Sequence, residues 1–186
     1  MKKASFLLVV ILVVSTGCSL FEKEASKVPV TTNNTLKATA NVIGSKNEGY
    51  GTASFEEQDK GVLLTLDLKG LPAGTHGIHI HEVAKCEPPN FESACAHFNP
   101  TKKQHGKLNP KGYHLGDLPN IEVGSDGIVE LSFVAEGLTL KKGRGNTIMD
   151  DDGSALVIHQ SQDDYLTDPS GNSGNRIACG VIINGK

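Results

Sequence analysis

The stretch HGIHIHE, residues 76–82, alternates isoleucine with histidine over Ile78, His79, Ile80 and His81. Successive side chains of an extended strand point to opposite faces, so Ile78 and Ile80 face a core while His79 and His81 project together from the other side. The same period-two alternation, or a short run of β-forming apolar residues, recurs at 36–43, 50–56, 62–68, 128–134, 155–159 and 176–183. Turn chemistry separates several of these runs, as in Asp59-Lys60-Gly61, Leu71-Pro72-Ala73-Gly74 and Asp126-Gly127. No segment sustains a helical period, and glycine, at 21 residues, is abundant. The pattern is that of an all-β sandwich or barrel.

Two stretches interrupt the strand rhythm, residues 83–120 and 160–175. Connections this long in a compact domain usually carry function. Of the seven histidines in the chain, His97, His105 and His114 fall in the first stretch together with Asp117. His159 ends a strand run at the start of the second, and Arg176 follows its end. Imidazole is the commonest transition-metal ligand, so histidines confined to short motifs read as ligands before any fold is known. His79 and His81 on one rigid face make half a site, and His159 completes a three-nitrogen set if its strand neighbours theirs, a set suited to copper(II). His105, His114 and Asp117 with one further imidazole form an N3O set suited to zinc. His97 is the spare imidazole, able to serve both sets if it lies between them.

The N-terminus has the features of an export signal: Lys2 and Lys3, an apolar run over 6–14, then Ser15-Thr16-Gly17-Cys18. A cysteine after that glycine resembles the bacterial lipobox, although Ser15 stands where an aliphatic residue is usual. The expected organisation is a signal peptide over 1–17, a lipidated Cys18 with a polar tether over 18–34, and one domain over 35–186. Such a chain would be exported and held by its lipid on the outer side of the bacterial cytoplasmic membrane, or in the periplasm or outer membrane. Lysine and arginine number 18 against 21 acidic residues; without Lys2 and Lys3 the balance is 16 against 21, a net charge of −5. A mildly acidic chain with no basic stripe argues against nucleic acid as a partner. Export also makes Cys86, Cys95 and Cys179 disulfide candidates, and counting leaves their pairing open.

Five motifs in this order, HGIHIHE, HFNP (97–100), HGKLNPKGYHLGDLPN (105–120), LVIHQSQDD (156–164) and GNSGNRIACGVI (171–182), resemble the copper/zinc superoxide dismutase family in its bacterial lipoprotein form. The resemblance implies an eight-stranded antiparallel Greek-key β-barrel with two long functional loops. It implies copper held by His79, His81, His97 and His159, and zinc held by His97, His105, His114 and Asp117, with His97 as the bridge. The implied reaction converts superoxide to dioxygen and hydrogen peroxide by cycling copper(II)/copper(I), in a monomer or homodimer anchored to a membrane.

Further roles follow from the same resemblance. Asp163 would hydrogen-bond His79 and His105, Arg176 would attract the substrate anion beside the copper, and Cys86 would pair with Cys179. A bridge of that span contributes about 4 to 5 kcal/mol by loop entropy. Cys95 matches no family position and is expected to be a buried free thiol; His76 is expected to be structural, and Arg144 a solvated charge. With no lysine between Asp164 and Arg176 and a negative charge at Asp168, electrostatic guidance is expected to rest on Arg176 with Lys102, Lys103, Lys107 and Lys111. The rival reading is a non-catalytic metal-binding lipoprotein that stores or hands on copper or zinc.

Overall fold

A computed structural model describes residues 35–185. The expected signal peptide, Cys18 and the tether lie outside the described residues. Among the described residues ten strands form, in chain order β1 (Lys37–Gly44), β2 (Gly49–Gln58), β3 (Gly61–Lys69), β4 (Gly74–His76), β5 (Ile78–His81), β6 (Ile121–Val123), β7 (Ile128–Glu136), β8 (Ala155–His159), β9 (Arg176–Val181) and β10 (Ile183–Asn184). The main sheet is antiparallel and runs β5-β8-β9-β1-β2-β3-β7, with β10 on β1, while β4 pairs with β6. Gly77 alone separates β4 from β5, and Ile182 alone separates β9 from β10. Counting each broken pair as one bent strand leaves the eight expected. Because β6 runs through the Gly124–Gly127 turn into β7 at the far end of the sheet, the β4–β6 pair curls the two ends toward each other.

Alternation decides what this curled sheet encloses. On β3, Leu64, Leu66 and Leu68 are buried and pack with Ala38, Ala40 and Val42 of β1 and Ile78 and Ile80 of β5. Truncating any one of these leucines to alanine costs about 2–5 kcal/mol, because a closed sheet cannot collapse onto the hole. All seven strand runs read from the alternation are strands. The two missed, β4 and β6, have three residues each, too few for a period of two to register.

β5 and β8 are buried on both faces. Ile78, Ile80, Leu156 and Ile158 join the main core, whereas Ala155 and Val157 face outward into a smaller cluster with Phe91, Ala94 and Cys179. The long connection 83–120 covers that outer face. Residues 137–154 form a third long connection, beside the two expected. The carboxylate of Glu57 pins it, accepting the Thr139 hydroxyl at 2.8 Å and the Leu140 N–H at 2.6 Å. Arg144, within it, is exposed as expected.

Candidate metal centre

β5 is an edge strand of the main sheet, and the 83–120 connection completes its hydrogen bonding. Ile80 donates its N–H to Gly116 O at 2.9 Å, Phe98 donates to Ile80 O at 2.8 Å, and Gly116 donates to Phe98 O at 2.9 Å. These contacts set His97 beside His81 and Asp117 beside His79 as isolated bridges. A side chain at Gly116 would strike Ile80 O, so glycine there permits the approach. On the other edge β5 pairs with β8, with His79 opposite Val157 and His81 opposite Ala155. The strand neighbourhood needed for His159 to join His79 and His81 is therefore present.

His79, His81, His97 and His159 are all buried, each offering a ring nitrogen within 4.8 Å of the others. The remaining ring nitrogens are committed. His79 Nε2 donates to Asp163 Oδ2 at 2.8 Å, His81 Nδ1 to Cys95 O at 2.9 Å, and His159 Nδ1 to Gly174 O at 3.2 Å. Each bond fixes a tautomer, leaving His79 Nδ1, His81 Nε2 and His159 Nε2 as buried lone pairs without a partner. An unsatisfied buried polar atom costs about 1–3 kcal/mol. Three such atoms converging on one point fit a coordinated cation of borderline softness, and copper meets that description.

The second cluster centres on Asp117. His97 Nδ1 donates to Asp117 Oδ1 at 2.9 Å and His114 Nδ1 to the same oxygen at 3.2 Å, while His105 Nδ1 lies 3.0 Å away, off the hydrogen-bond line. Asp117 Oδ2 accepts the backbone N–H groups of Gly106 and His114. Three imidazole nitrogens and a carboxylate at this spacing are a zinc-type donor set. The four side chains here whose ligand atoms all lie within 4.8 Å of one another are His79, His97, His105 and Asp117, so His79, whose ring stacks on His97 at 4.0 Å between centroids, stands where His114 was expected, and His114 meets the group through Asp117. His97 thus faces Asp117 through Nδ1 and is a member of both groups.

Burial decides the charge state of the first cluster. It holds His79 and His81 below their ordinary value of 6.5 and brings His97 down to about 4 and His159 to about 2, so all four are neutral near pH 7. For His105, burial also opposes the charged form, but contact with the Asp117 and Asp163 carboxylates outweighs it and raises the imidazole to about 9. Burial opposes the anionic form of both Asp117 and Asp163, and their imidazole partners nonetheless hold them below the usual carboxylate range.

Asp163 joins the two clusters, since its Oδ1 accepts the His105 Nε2 proton at 2.9 Å while Oδ2 holds His79. Sequence reading missed the residues that hold Asp163 itself. The Asn120 side chain accepts the Asp163 N–H at 2.8 Å and donates to its carbonyl at 2.9 Å, and the Asn120 N–H donates to the Tyr165 hydroxyl at 2.6 Å. A Cβ at Gly171, whose φ is +63°, would collide with Asp163 Oδ1. Asn120 and Gly171 end and begin two of the sequence motifs, and that position was their only signal. His76 is structural as expected: its ring spans His159 O at 2.8 Å and Pro72 O at 2.9 Å.

A cleft of about 840 Å³ opens onto His97 and His159, with Arg176, Lys103, Cys95 and Asp168 among its walls. Arg176 is half-buried and donates to Phe91 O at 2.7 Å and Cys95 O at 2.6 Å. Of the four lysines expected to guide an anion, Lys103 alone lines this cleft, whereas Lys107 lies over the Tyr113 ring, 5.4 Å from its centroid. Glu82 and Glu92 share the lining, and Asp168, read as an opposing charge, accepts the His105 N–H at 2.6 Å. Cys95 corrects an expectation. It is free but exposed, because the turn that brings its carbonyl to His81 and Arg176 leaves the residue on the cleft wall.

Cys86 and Cys179 form a disulfide, Cα–Cα 5.6 Å, within the Phe91 cluster. A structural disulfide marks an oxidising compartment outside the cytoplasm. No helix among the described residues is long and apolar enough to cross a membrane.

An antiparallel β-barrel carrying two adjoining groups of buried metal-ligating side chains, with His79 and His97 common to both, defines a binuclear metalloprotein. The profile described as "Copper/zinc superoxide dismutase (SODC)" matches residues 49–182, and the chain belongs to that family. Superoxide dismutase [Cu-Zn] 1 of Aquifex aeolicus is 47% identical over 148 residues, covering 79% of this chain and 88% of that protein. The superoxide dismutase-like protein YojM of Bacillus subtilis is 50% identical over 129 residues, covering 69% and 66%. Among solved structures, a SOD-like protein from Bacillus subtilis has TM-score 0.76 at 44% identity, covering 78% of this chain and 97% of that one. The Cu/Zn superoxide dismutase from Brucella abortus has TM-score 0.65 at 28% identity, covering 79% and 99%.

Proposed function

We propose that this protein dismutates superoxide at a copper/zinc centre, with His79, His81, His97 and His159 holding copper and His97, His105, His114 and Asp117 holding zinc. The observation that supports the reading is the set of buried, unpartnered nitrogens at His79 Nδ1, His81 Nε2 and His159 Nε2, three converging lone pairs that one cation would satisfy together. Relatives named both as dismutases and as dismutase-like share the fold, so the ligand set and not the fold supports the activity.

When bound, copper supplies one-electron redox chemistry and zinc a fixed positive charge. The chain supplies the rest. Arg176, held by two carbonyl oxygens, presents its guanidinium to the cleft and draws in a small anion. His97 is anchored through Nδ1 to the Asp117 cluster; with a metal in place of the Nδ1 proton, the neutral ring would carry its proton at Nε2 and could deliver it to a reduced dioxygen species in the cleft. Asp163 keeps His79 and His105 in register so that the two clusters hold their spacing.

The finer placement belongs to the same proposal: cleavage of residues 1–17, lipidation of Cys18, and a tether over 18–34 that leaves the domain free beside a membrane. The deciding experiment loads the purified protein with copper and zinc, quantifies both metals and measures superoxide consumption. Rapid consumption that requires copper is expected. A protein that binds both metals and consumes no superoxide would be a storage or delivery protein instead.

A further inference from the structure

Cys95 is the one free thiol among the described residues, and it stands on the wall of the cleft whose floor is formed by His97 and His159. Its backbone has φ 62° and ψ −140°, a conformation that non-glycine residues rarely adopt. The contacts that hold it there are those of its carbonyl, which accepts His81 Nδ1–H at 2.9 Å and Arg176 Nη2–H at 2.6 Å. The sulfur is engaged only weakly, with its S–H directed at Ser93 O 3.7 Å away. Cys95, an exposed residue with a free thiol, is thus held on a cleft whose lining includes His159, which is 3% exposed and has no partner for Nε2. His81, hydrogen-bonded to Cys95, has a second unpartnered nitrogen in the same cluster.

These two observations match the two ends of a transfer path. Thiolates select cuprous copper, while the buried imidazole set suits the ion once it is seated. We propose that Cys95 is the entry ligand for copper: Cu(I) is first captured by Cys95 Sγ and then passed inward to His81, His97 and His159. The inference rests on the copper reading of those histidines. The transfer is a ligand exchange in which no electron moves. The thiol releases its proton to solvent when Cu(I) binds and regains one when the ion leaves, and the Cu–S bond is replaced by bonds to imidazole nitrogen.

The test uses the zinc-loaded, copper-free protein and its Cys95→Ser and Cys95→Ala variants. Each is mixed anaerobically with Cu(I) supplied as its glutathione complex, and separately with Cu(II) sulfate. Samples are quenched with a chelator and protein-bound copper is counted by native mass spectrometry. Copper–sulfur scattering is sought in early samples by X-ray absorption. Both variants are expected to take up Cu(I) about tenfold more slowly than the parent and to lack the early copper–sulfur signal, with Cu(II) uptake unchanged. Equal Cu(I) rates in all three proteins would overturn the entry role. Slowing that is the same for Cu(I) and Cu(II) would also overturn it, as a structural effect of the substitution. If the parent itself binds no copper at the histidines from either source, the copper reading of the site fails, and this inference with it.

Discussion

His159 stands opposite Arg176 across the β8–β9 ladder, at the one place where that ladder shifts register. Each of the preceding pairs, from Ala155 opposite Val181 to Ile158 opposite Ala178, steps by one residue, and the irregularity after Ile158 brings the first residue of β9 level with the last of β8. A local break in pairing re-aims side chains, and such breaks recur next to active sites. Here it sets a guanidinium and an imidazole together on the cleft that a substrate anion must enter.

The first prediction tests that pairing. Arg176→Ala should lower kcat/KM about tenfold and flatten its dependence on ionic strength, while Arg176→Lys should restore the salt dependence and only part of the rate, because an ammonium cannot hold the Phe91 and Cys95 carbonyls as a fork. Superoxide consumption measured over a range of salt concentrations reads both quantities. A rate and salt slope unchanged in the alanine variant would remove Arg176 from substrate attraction.

Asp163 offers a test of how the two clusters depend on each other. Asp163→Asn places an NH2 donor against one of two imidazole N–H groups, so binding of copper and zinc should both weaken, by about 10–100-fold. Gly171→Ala should weaken binding in the same direction, since its added methyl group collides with Asp163 Oδ1. Competition against chelators of known affinity measures each metal separately. Loss of one metal with full retention of the other would show that the carboxylate does not couple the clusters.

A third prediction concerns the metal-free protein and pH. Burial holds folded His97 near 4 and His159 near 2, against an ordinary value of 6.5. Above that value neither state is protonated; as pH falls through it the unfolded chain gains protons that the folded chain refuses, so stability declines toward pH 4. His105 runs the other way. Raised to about 9 by Asp117 and Asp163, its contribution is complete and constant below 6.5 and is lost as pH rises toward 9. Thermal unfolding should therefore show a midpoint that falls on both the acid and the alkaline side, and zinc should abolish the alkaline fall by taking the place of the His105 proton. A midpoint flat from pH 7 to 9 without zinc would contradict the His105 assignment.

Much of the fold was legible because a strand writes its period into adjacent residues. The alternation at Ile78-His79-Ile80-His81 predicts that the isoleucines face the core and the histidines project together, and Ile78 and Ile80 lie in the main core while His79 and His81 lie in one four-histidine group. The connection 137–154 carries no such period and went unread, although Leu138, Leu140, Ile148 and Met149 within it are buried. Their burial depends on contact with distant strands, which no local pattern records.

The site divides in the same way. Histidine chemistry and spacing point to metal from the chain alone, and the ordered motifs extend this to copper, zinc and a bridging His97. What the chain could not state is which nitrogen of each ring is free. That depends on Asp163, Cys95 and Gly174, whose acceptor oxygens meet His79, His81 and His159 only after β5, β8 and the loops between them have folded together. The exposed position of Cys95, and which of the cations line the cleft, Lys103 and Arg176, were settled by the same packing. Sequence determines which groups are available and which face of a strand they share. Tertiary structure decides which lone pairs remain, because hydrogen bonds between residues far apart in the chain form only in the folded state.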